Sequence, residues 1–314
     1  MIRAPDFWYG RGDSRLATAL SPLSTLVAAA GRKQRHRRPA LSVPVPVVCV
    51  GNVTLGGGGK TPVALDIGQR LQALGHTVHF LTRGYGGRSG RAPLQVDPAR
   101  HAAREVGDEP LLLAKHAPTW VCADRRASAE AAIAAGADVL VLDDGFQSAH
   151  LAADLALLVI DGAVGIGNGR VLPAGPLRER FGDALKRADA VVMLGPDATG
   201  LMGEIDGLRP ILTAQVRPAQ DSAWLKGTRV LAFAGLARPG KLFDSLRTAG
   251  AELVESVGFP DHHRYTGQDL ATLAERAARQ NSHLVTTEKD AARLPPPWRE
   301  RVAVLRVRVA WDDA

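Results

Sequence analysis

Four consecutive glycines followed by a lysine and a threonine form the clearest chemical signal in the sequence. Lys60 and Thr61 follow the glycines at positions 56–59, where a helix is predicted to begin. Glycines let backbone N–H groups turn toward phosphate oxygens, and a helix N-terminus adds the positive end of its dipole. A lysine at this position can reach the β- and γ-phosphates, and a threonine hydroxyl can bind Mg²⁺. The spacing therefore predicts a loop that binds ATP with Mg²⁺.

The loop departs from the usual pattern G-x-x-x-x-G-K-[ST] at one position. Counting back from Gly59 places Thr54 where the first glycine is usual. The run of glycines and the strand–loop–helix context compensate for this departure, and a purely structural turn is the alternative interpretation. The residues expected to bind the nucleotide are Thr54, Leu55, Gly56, Gly57, Gly58, Gly59, Lys60 and Thr61.

Two adjacent carboxylates, Asp143 and Asp144, follow a later apolar run at positions 139–142. A buried strand that ends in an acidic residue places a carboxylate at the carboxyl edge of the sheet, close to a phosphate-binding loop. Many strands end in aspartate, so this signal depends on the loop that precedes it. We expect Asp143 or Asp144 to bind Mg²⁺ together with Thr61.

Short apolar runs alternate with helix-length amphipathic segments along most of the chain. This alternation predicts an α/β fold of the P-loop NTPase type, in which helices flank a mostly parallel sheet, with a smaller α/β C-terminal domain. We divide the chain into an N-terminal segment (1–40), a P-loop core domain (41–214) and the C-terminal domain (215–314). Strands are predicted at 45–50, 78–82, 119–123, 139–142, 155–160, 190–194, 230–234, 284–287 and 302–307, and helices at 62–74, 110–115 and 128–135.

Most of the net charge of +7 lies in the N-terminal segment, where eight basic side chains face only two acidic ones. A nucleic-acid-binding protein usually spreads its basic face over the folded body, so nucleic acid is not an expected partner. An apolar stretch at 16–30 precedes the basic cluster at 31–38, but it is short and contains Pro22. This order of residues favours an anchor on an anionic membrane surface. A helix packed on the body with a solvated basic turn is the alternative interpretation.

Six further motifs occur in a fixed order along the chain. Together they resemble the tetraacyldisaccharide 4'-kinase family, the lipid A kinases of Gram-negative bacteria, over residues 40–293. The resemblance implies transfer of the ATP γ-phosphate to the 4'-hydroxyl of a tetraacylated glucosamine disaccharide 1-phosphate, at the cytoplasmic face of the inner membrane. The motifs are RGYGG (83–87), GDEP (107–110), DDGFQ (143–147), GNGRVLPAGPLRE (167–179), FPDHH (259–263) and TTEKD (286–290).

The resemblance implies a catalytic pair made of Asp108 and His262. Asp108 matches the family's catalytic base, and His262 matches its partner. A sugar hydroxyl is a poor nucleophile, so a carboxylate that accepts its proton suits the reaction, and a histidine can orient that carboxylate. The alternatives are a helix N-cap for Asp108 and a polar turn residue for His262.

The resemblance also implies catalytic roles for Lys60 and Arg178, which would stabilise charge on the transferring phosphoryl group. Glu179 would complete the Mg²⁺ shell, directly or through water. A solvated surface pair is the alternative interpretation of Arg178 and Glu179. The expected substrate-binding residues are Tyr85, Glu109 and Arg126, and the neighbouring Arg125 leaves the register of Arg126 open.

Two interpretations stay open for Glu288, Lys289 and Asp290, which follow a predicted strand. These residues would either contact the nucleotide or form a capped helix start. For the chain as a whole, the alternatives to a lipid kinase are a P-loop switch or metallochaperone-like NTPase that acts through a protein partner, and a soluble small-molecule kinase or ligase. A base for a sugar hydroxyl distinguishes the lipid kinase from a switch, which needs none.

Overall fold

The computed structural model describes residues 5–10, 14–36, 40–87, 90, 92–148 and 151–312. Several basic residues of the predicted anchor, at positions 3, 11, 37 and 38, lie outside the described residues. The strands are β1 (Val47–Gly51), β2 (Val78–Thr82), β3 (Leu94–Gln95), β4 (Thr119–Val121), β5 (Val139–Asp143), β6 (Leu155–Asp161), β7 (Ala190–Leu194), β8 (Ile211–Pro218), β9 (Arg229–Ala234), β10 (Glu252–Gly258), β11 (His283–Thr287), β12 (Ala303–Leu305) and β13 (Val307–Trp311).

The helices alternate with the strands, as the sequence pattern predicts. Two short 3₁₀ helices span Asp6–Trp8 and Gln220–Leu225. The α-helices are α1 (Arg15–His36), α2 (Lys60–Ala73), α3 (Ala103–Val106), α4 (Asp108–Leu113), α5 (Arg125–Ala134), α6 (Phe181–Arg187), α7 (Leu201–Ile205), α8 (Gly240–Thr248), α9 (Gly267–Arg279), α10 (Glu288–Ala291) and α11 (Pro296–Arg299).

A nine-stranded sheet in the order β13-β8-β7-β6-β1-β5-β2-β4-β3 forms the larger layer. Its strands are parallel except at the two edges, where β13 and β3 run antiparallel to their neighbours. Every residue of β1, β2, β5 and β7 is buried, because helices cover both faces of a parallel sheet. This sheet confirms the predicted α/β fold with a mostly parallel sheet.

Helix α2 lies close against this sheet because its inner face carries small side chains. Val63 and Ala64 are fully buried, and a Cβ atom at Gly68 would overlap the ring of Phe80 on β2. Since only glycine fits there, Gly68 sets the distance between helix and sheet. This packing fixes the helix whose first residue is Lys60.

A second, four-stranded parallel sheet has the order β10-β9-β11-β12. Its core packs Leu231 and Phe233 of β9 against Leu270 and Leu273 of α9. Helix α9 begins at a capping box, in which the Thr266 hydroxyl accepts a hydrogen bond from the Asp269 backbone N–H at 3.1 Å. This sheet confirms the expected smaller α/β unit.

The end of the chain returns to the large sheet. The sequence predicted one strand at 302–307, and this prediction was wrong. The chain instead divides at Arg306, so that β12 pairs with β11 and β13 pairs with β8. The predicted boundary at residue 215 falls within β8. The division into three domains stays a prediction.

Helix α1 packs one face on the body and exposes the other. The buried Ser24 hydroxyl donates to the Val171 carbonyl at 2.6 Å and accepts from the Ala174 N–H at 3.1 Å. Leu16, Leu23 and Leu26 lie on the outer face and are more than half exposed. Among the described residues, no helix combines the length and the hydrophobicity needed to cross a bilayer.

Candidate active site

The glycine loop joins the carboxyl end of β1 to the start of α2. Gly59 caps α2 with a φ of 83°, a left-handed conformation that favours glycine. A Cβ atom at Gly58 would overlap the buried side-chain amide of Asn52, which donates to the Thr54 hydroxyl at 3.1 Å. The loop therefore requires glycine at position 59 for its backbone path and at position 58 for the space that Asn52 occupies.

The first residues of the loop also position Arg178. The Leu55 N–H donates to the Pro176 carbonyl at 2.8 Å, and the Arg178 N–H donates to the Val53 carbonyl at 2.7 Å. These two bonds hold the segment that carries Arg178 against the loop. The nucleotide-binding roles of Thr54 and Leu55 stay predictions.

Lysine, threonine and two carboxylates meet at the carboxyl edge of the large sheet. Parallel pairing of β1 with β5 sets Val50 beside Asp143. The Thr61 hydroxyl donates to Asp143 Oδ2 at 3.0 Å, and Lys60 Nζ lies 2.8 Å from Asp144 Oδ2. The structure thus brings together the two motifs from which the sequence predicted ATP and Mg²⁺ binding.

Burial and charge act differently on the two carboxylates. Burial raises the pKa of Asp143 to about 6, and Lys60 opposes this rise while Asp144 and Glu109 add to it. Burial also disfavours the ionised form of Asp144, but Lys60 and Arg178 outweigh it and lower the pKa of Asp144. Because Glu109 acts on Asp143, the predicted metal site and the predicted acceptor site lie within electrostatic reach of each other.

Asp143 carries a buried oxygen, Oδ1, that lacks a hydrogen-bond partner among the described residues. An unpartnered carboxylate oxygen in this environment is unfavourable unless a cation neutralises it. With the Thr61 hydroxyl on the other oxygen, this donor set fits Mg²⁺, which prefers oxygen ligands. Asp144 is instead held by Lys60 and Arg178, so Asp143 is the better placed of the two carboxylates.

Arg178 and Glu179 point to different partners. Arg178 Nη1 donates to both oxygens of Asp144 at 3.1 and 3.0 Å, so the guanidinium lies at the nucleotide edge. The buried Glu179 accepts from Arg187 at 2.9 Å on each oxygen and from Gln147 at 3.2 Å. The predicted role of Glu179 in the Mg²⁺ shell stays a prediction.

Asp108 and His262 form a hydrogen-bonded pair although 154 residues separate them in the chain. Asp108 is buried at the first position of α4 and follows Gly107, whose φ is 96°. His262 follows β10 and has a φ of 55°. Its Nδ1 atom lies 2.9 Å from Asp108 Oδ2. The pair predicted from the family resemblance is thus assembled by two distant segments.

Several other side chains surround this pair. The ring of the exposed Tyr85 lies 5.6 Å from the His262 ring. Lys289 Nζ lies 2.7 Å from Glu109 Oε1 and 3.5 Å from His262 Nε2. Arg293 Nε lies 3.4 Å from Asp108 Oδ2. Sequence reasoning assigned no role to Arg293, because only the folded chain brings it to this site.

The adjacent arginines at the start of α5 differ completely in environment. Arg126 is exposed, and its backbone N–H bonds to the Asp124 side chain that caps the helix. Arg125 is fully buried, and none of its three guanidinium nitrogens has a hydrogen-bond partner among the residues that the structure describes. Burial and, to a smaller extent, the neighbouring Arg83 lower the pKa of Arg125 to about 10. A buried guanidinium without a partner favours Arg125 as the anion-binding residue.

Comparison with known proteins gives one consistent result. The family described as Tetraacyldisaccharide-1-P 4'-kinase matches residues 16–314. A tetraacyldisaccharide 4'-kinase from Rhodospirillum centenum is 50% identical over 99% of this chain and 94% of its own length. One from Gluconacetobacter diazotrophicus is 50% identical over 99% of this chain and 95% of its own.

A solved structure agrees with these sequence matches. LpxK from Aquifex aeolicus in complex with ATP superposes with a TM-score of 0.73 at 25% sequence identity. The superposition covers 95% of this chain and 96% of that one. The similarity therefore extends over both sheets.

Proposed function

Because this chain belongs to the tetraacyldisaccharide-1-P 4'-kinase family, we propose that Asp108 and His262 activate the acceptor hydroxyl beside a nucleotide site built around Lys60. The protein is an ATP-dependent lipid A 4'-kinase. It transfers the γ-phosphate of ATP to the 4'-hydroxyl of a tetraacylated disaccharide 1-phosphate, which yields lipid IVA. A switch that acts through a protein partner is not favoured.

One observation carries the assignment of the catalytic residues. A buried carboxylate, Asp108, is hydrogen bonded to a histidine at 2.9 Å, and its neighbour Glu109 acts electrostatically on Asp143. A base beside the nucleotide site is what a kinase for a sugar hydroxyl requires. A nucleotide switch would need a group that positions water, not this pair.

The 4'-hydroxyl oxygen forms a bond to the γ-phosphorus while the bond from that phosphorus to the β,γ-bridging oxygen breaks. The hydroxyl proton passes to Asp108, and ADP leaves. Lys60 and Arg178 stabilise the negative charge on the transferring group. Thr61 and Asp143 would hold Mg²⁺, which neutralises phosphate charge when it is bound.

We assign the recognition of substrate charge to Arg125 rather than to Arg126. The acceptor carries a 1-phosphate, and a buried guanidinium that lacks a hydrogen-bond partner in the described part of the chain is suited to bind it. The exposed ring of Tyr85, which lies beside His262, would contact the sugar. Glu109 would contact the acceptor near the transferred group. These assignments extend the catalytic proposal to substrate binding.

We also propose that the outer face of α1 contacts the cytoplasmic face of the inner membrane, where an acylated substrate would lie. Leu23 and Leu26 are exposed on this face, and Arg32 and Lys33 follow near the end of the helix. An apolar stripe beside basic residues is typical of interfacial helices on anionic membranes.

The direct test mixes the protein, ATP, Mg²⁺ and the tetraacylated disaccharide 1-phosphate, and follows the lipid by mass spectrometry. We expect a product heavier by one phosphate. The Asp108→Asn variant should bind ATP normally and form the product about 10²–10⁴-fold more slowly. If this variant keeps the wild-type rate, Asp108 is not the base.

A further inference from the structure

The residues around the Asp108–His262 pair include two cations that the catalytic proposal does not use. We propose that Lys289 and Arg293 are positioning residues, which hold Asp108 and His262 in the arrangement that lets Asp108 accept the substrate proton. This inference rests on the proposed function, since it concerns the same base. It also gives a role to the TTEKD motif, for which the sequence left two interpretations open.

Lys289 determines which nitrogen of His262 carries the proton. Its ammonium group lies 3.5 Å from His262 Nε2 and 2.7 Å from Glu109 Oε1. An ammonium group only donates hydrogen bonds, so Nε2 must present its lone pair to Lys289. The proton of the neutral ring therefore lies on Nδ1, which then donates to Asp108 Oδ2 at 2.9 Å.

This tautomer leaves one oxygen of the base for the substrate. His262 and Arg293 both approach Asp108 at Oδ2, at 2.9 and 3.4 Å. The other oxygen, Oδ1, is then the atom that accepts the proton of the acceptor hydroxyl. If the proton lay on Nε2 instead, Nδ1 would face the carboxylate with a lone pair, and the pair would lose its hydrogen bond.

Arg293 is held in place by a buried network. Asp290 is fully buried, contacts Arg293, and accepts hydrogen bonds from the Tyr265 hydroxyl at 2.7 Å and the Gly235 N–H at 2.9 Å. The Thr287 hydroxyl donates to the second oxygen of Asp290 at 2.6 Å. The guanidinium is therefore fixed by the smaller sheet before it meets Asp108.

Within the TTEKD motif, Thr287 has a structural role and Lys289 has a functional one. Thr287 caps α10 through its bond with the Asp290 N–H at 3.0 Å, as a capped helix start requires. Lys289, on the same short helix, faces Glu109 at the start of α4. Helix α10 follows a strand of the smaller sheet, and α4 lies beside the larger sheet. The motif therefore links the two sheets next to Asp108.

A bound metal ion is a weaker interpretation of the same cluster. Ligand atoms of Asp108, Glu109 and His262 lie within 4.8 Å of one another, close enough to share a cation. Lys289 already supplies a positive charge to two of these three side chains. Burial disfavours this charge, but Glu109, Asp261 and Asp108 outweigh burial and raise the pKa of Lys289. The cation at this position is thus the ammonium group.

The inference predicts how pH affects turnover. The active form needs an ionised Asp108 and a neutral His262, and a nearby ammonium group disfavours the addition of a proton to either. Without the ammonium group of Lys289, the fall in kcat on acidification should occur at a higher pH. The other charged or titratable groups that face the pair are Glu109, Asp261, Arg293, Asp290 and Tyr85.

The test compares Lys289→Met with Lys289→Arg, which keeps the charge, and with Lys226→Met, which makes the same change at an exposed lysine that precedes β9. For each protein, kcat, both KM values and the pH profile of kcat are measured. We expect Lys289→Met to lower kcat about tenfold, below the ~10²–10⁴-fold contribution of a base. Its acidic limb should move to higher pH, and its KM for ATP should not change.

The control variants sharpen this result. Lys289→Arg should restore most of kcat and the wild-type pH profile, and Lys226→Met should match the wild type. A Lys289→Met enzyme with the wild-type kcat and pH profile would overturn the inference. So would a lower kcat with an unmoved pH profile, because that result indicates a purely structural role.

Two further variants keep the test decisive. If Lys289→Met does not fold, Lys289→Gln, which removes the charge but keeps a polar side chain, takes its place, and the same displacement of the acidic limb is expected, with an unmoved limb counting against the inference. Asp108→Asn is assayed in parallel. If it retains activity, the proposed function of Asp108 fails. If it is inactive while Lys289→Met behaves as wild type, only the positioning role fails.

Discussion

The nucleotide site and the acceptor site of this kinase are built in opposite ways. The nucleotide site is formed by segments of the large sheet, where β1, β5 and the glycine loop bring Lys60, Thr61 and Asp143 to one edge. The acceptor site takes Asp108 from α4 beside the large sheet, and its partner His262 from the loop that follows β10 of the smaller sheet. The residues proposed for the first site lie in one sheet and its loops, and those proposed for the second come together only where the two sheets meet.

This difference separates ATP binding from catalysis. We expect the large sheet to bind ATP whether or not the smaller sheet is docked, whereas Asp108 meets His262 only where the two sheets pack together. The two sheets are also joined next to the glycine loop, where the buried Asp161 of β6 contacts Arg238 and Lys241. We therefore expect variants of the nucleotide site to weaken ATP binding. Variants of the acceptor site should lower kcat without changing the affinity for ATP.

The largest effect is expected for the Lys60→Met variant, which alters the nucleotide site. The variant removes the cation that neutralises Asp144 and reaches the phosphates, so kcat/KM for ATP should fall about 10²–10³-fold. Steady-state kinetics and calorimetric titration with ATP measure this loss. Lys186→Met, at an exposed lysine of α6, is the matched control and should behave as wild type. A normal affinity for ATP in Lys60→Met would contradict the proposed nucleotide site.

A smaller effect, on stability, is expected for Asp143→Asn. Burial raises the pKa of Asp143 to about 6 in the folded protein, above its value in the unfolded chain. A raised pKa means that the group contributes stability at low pH and loses it as pH rises through about 6. Without Mg²⁺ at pH 8, the variant should gain about 1–3 kcal/mol in the free energy of unfolding.

Urea unfolding in a chelating buffer at pH 8 and pH 5 measures this difference, and the gain should be smaller at pH 5. An Asp143→Asn protein that is no more stable than the wild type at pH 8 would show that the carboxylate is not held at an electrostatic cost. With Mg²⁺ and ATP present, the wild type should recover stability that the variant cannot, because only the wild type keeps the carboxylate.

The smallest effect is expected at the outer face of α1, which is proposed to contact the membrane and belongs to neither site. The double variant Leu23→Ser and Leu26→Ser should bind vesicles of anionic phospholipid about fivefold more weakly, because less apolar surface is available to the bilayer. Thermal unfolding should not change, since both side chains are exposed. The control replaces the exposed Leu74 and Leu208 with serine. Equal vesicle binding by all three proteins would rule out α1 as the contact.

The two sites also differ in how far the sequence predicts them. The glycine loop with Lys60 and Thr61 could be predicted from local pattern alone, because phosphate binding needs a specific backbone path. A pair of carboxylates, Asp143 and Asp144, followed from its position after a buried strand, but the sequence left open which of the two would bind the metal. The fold class followed from the alternation of strands and helices. In each case the determining interactions lie close together in the chain.

The acceptor site could be predicted only through the family resemblance. No local pattern connects Asp108 with His262, and the contacts of Lys289 and Arg293 arise only when the two sheets pack together. The different burial of Arg125 and Arg126 depends on where α5 begins, which Asp124 fixes by capping the helix. Similarly, the predicted strand at 302–307 combined two strands of different sheets, because both segments are apolar and only Arg306 separates them.

A double-mutant cycle on Asp108 and His262 tests the central claim most directly, because it asks whether the two halves of the acceptor site act as one unit. Each single alanine variant and the double variant are assayed for kcat with saturating ATP. We predict that Asp108→Ala alone loses about as much activity as the double variant, while all three bind ATP normally. Losses that simply multiply in the double variant would show that the two residues act independently, and would contradict the account.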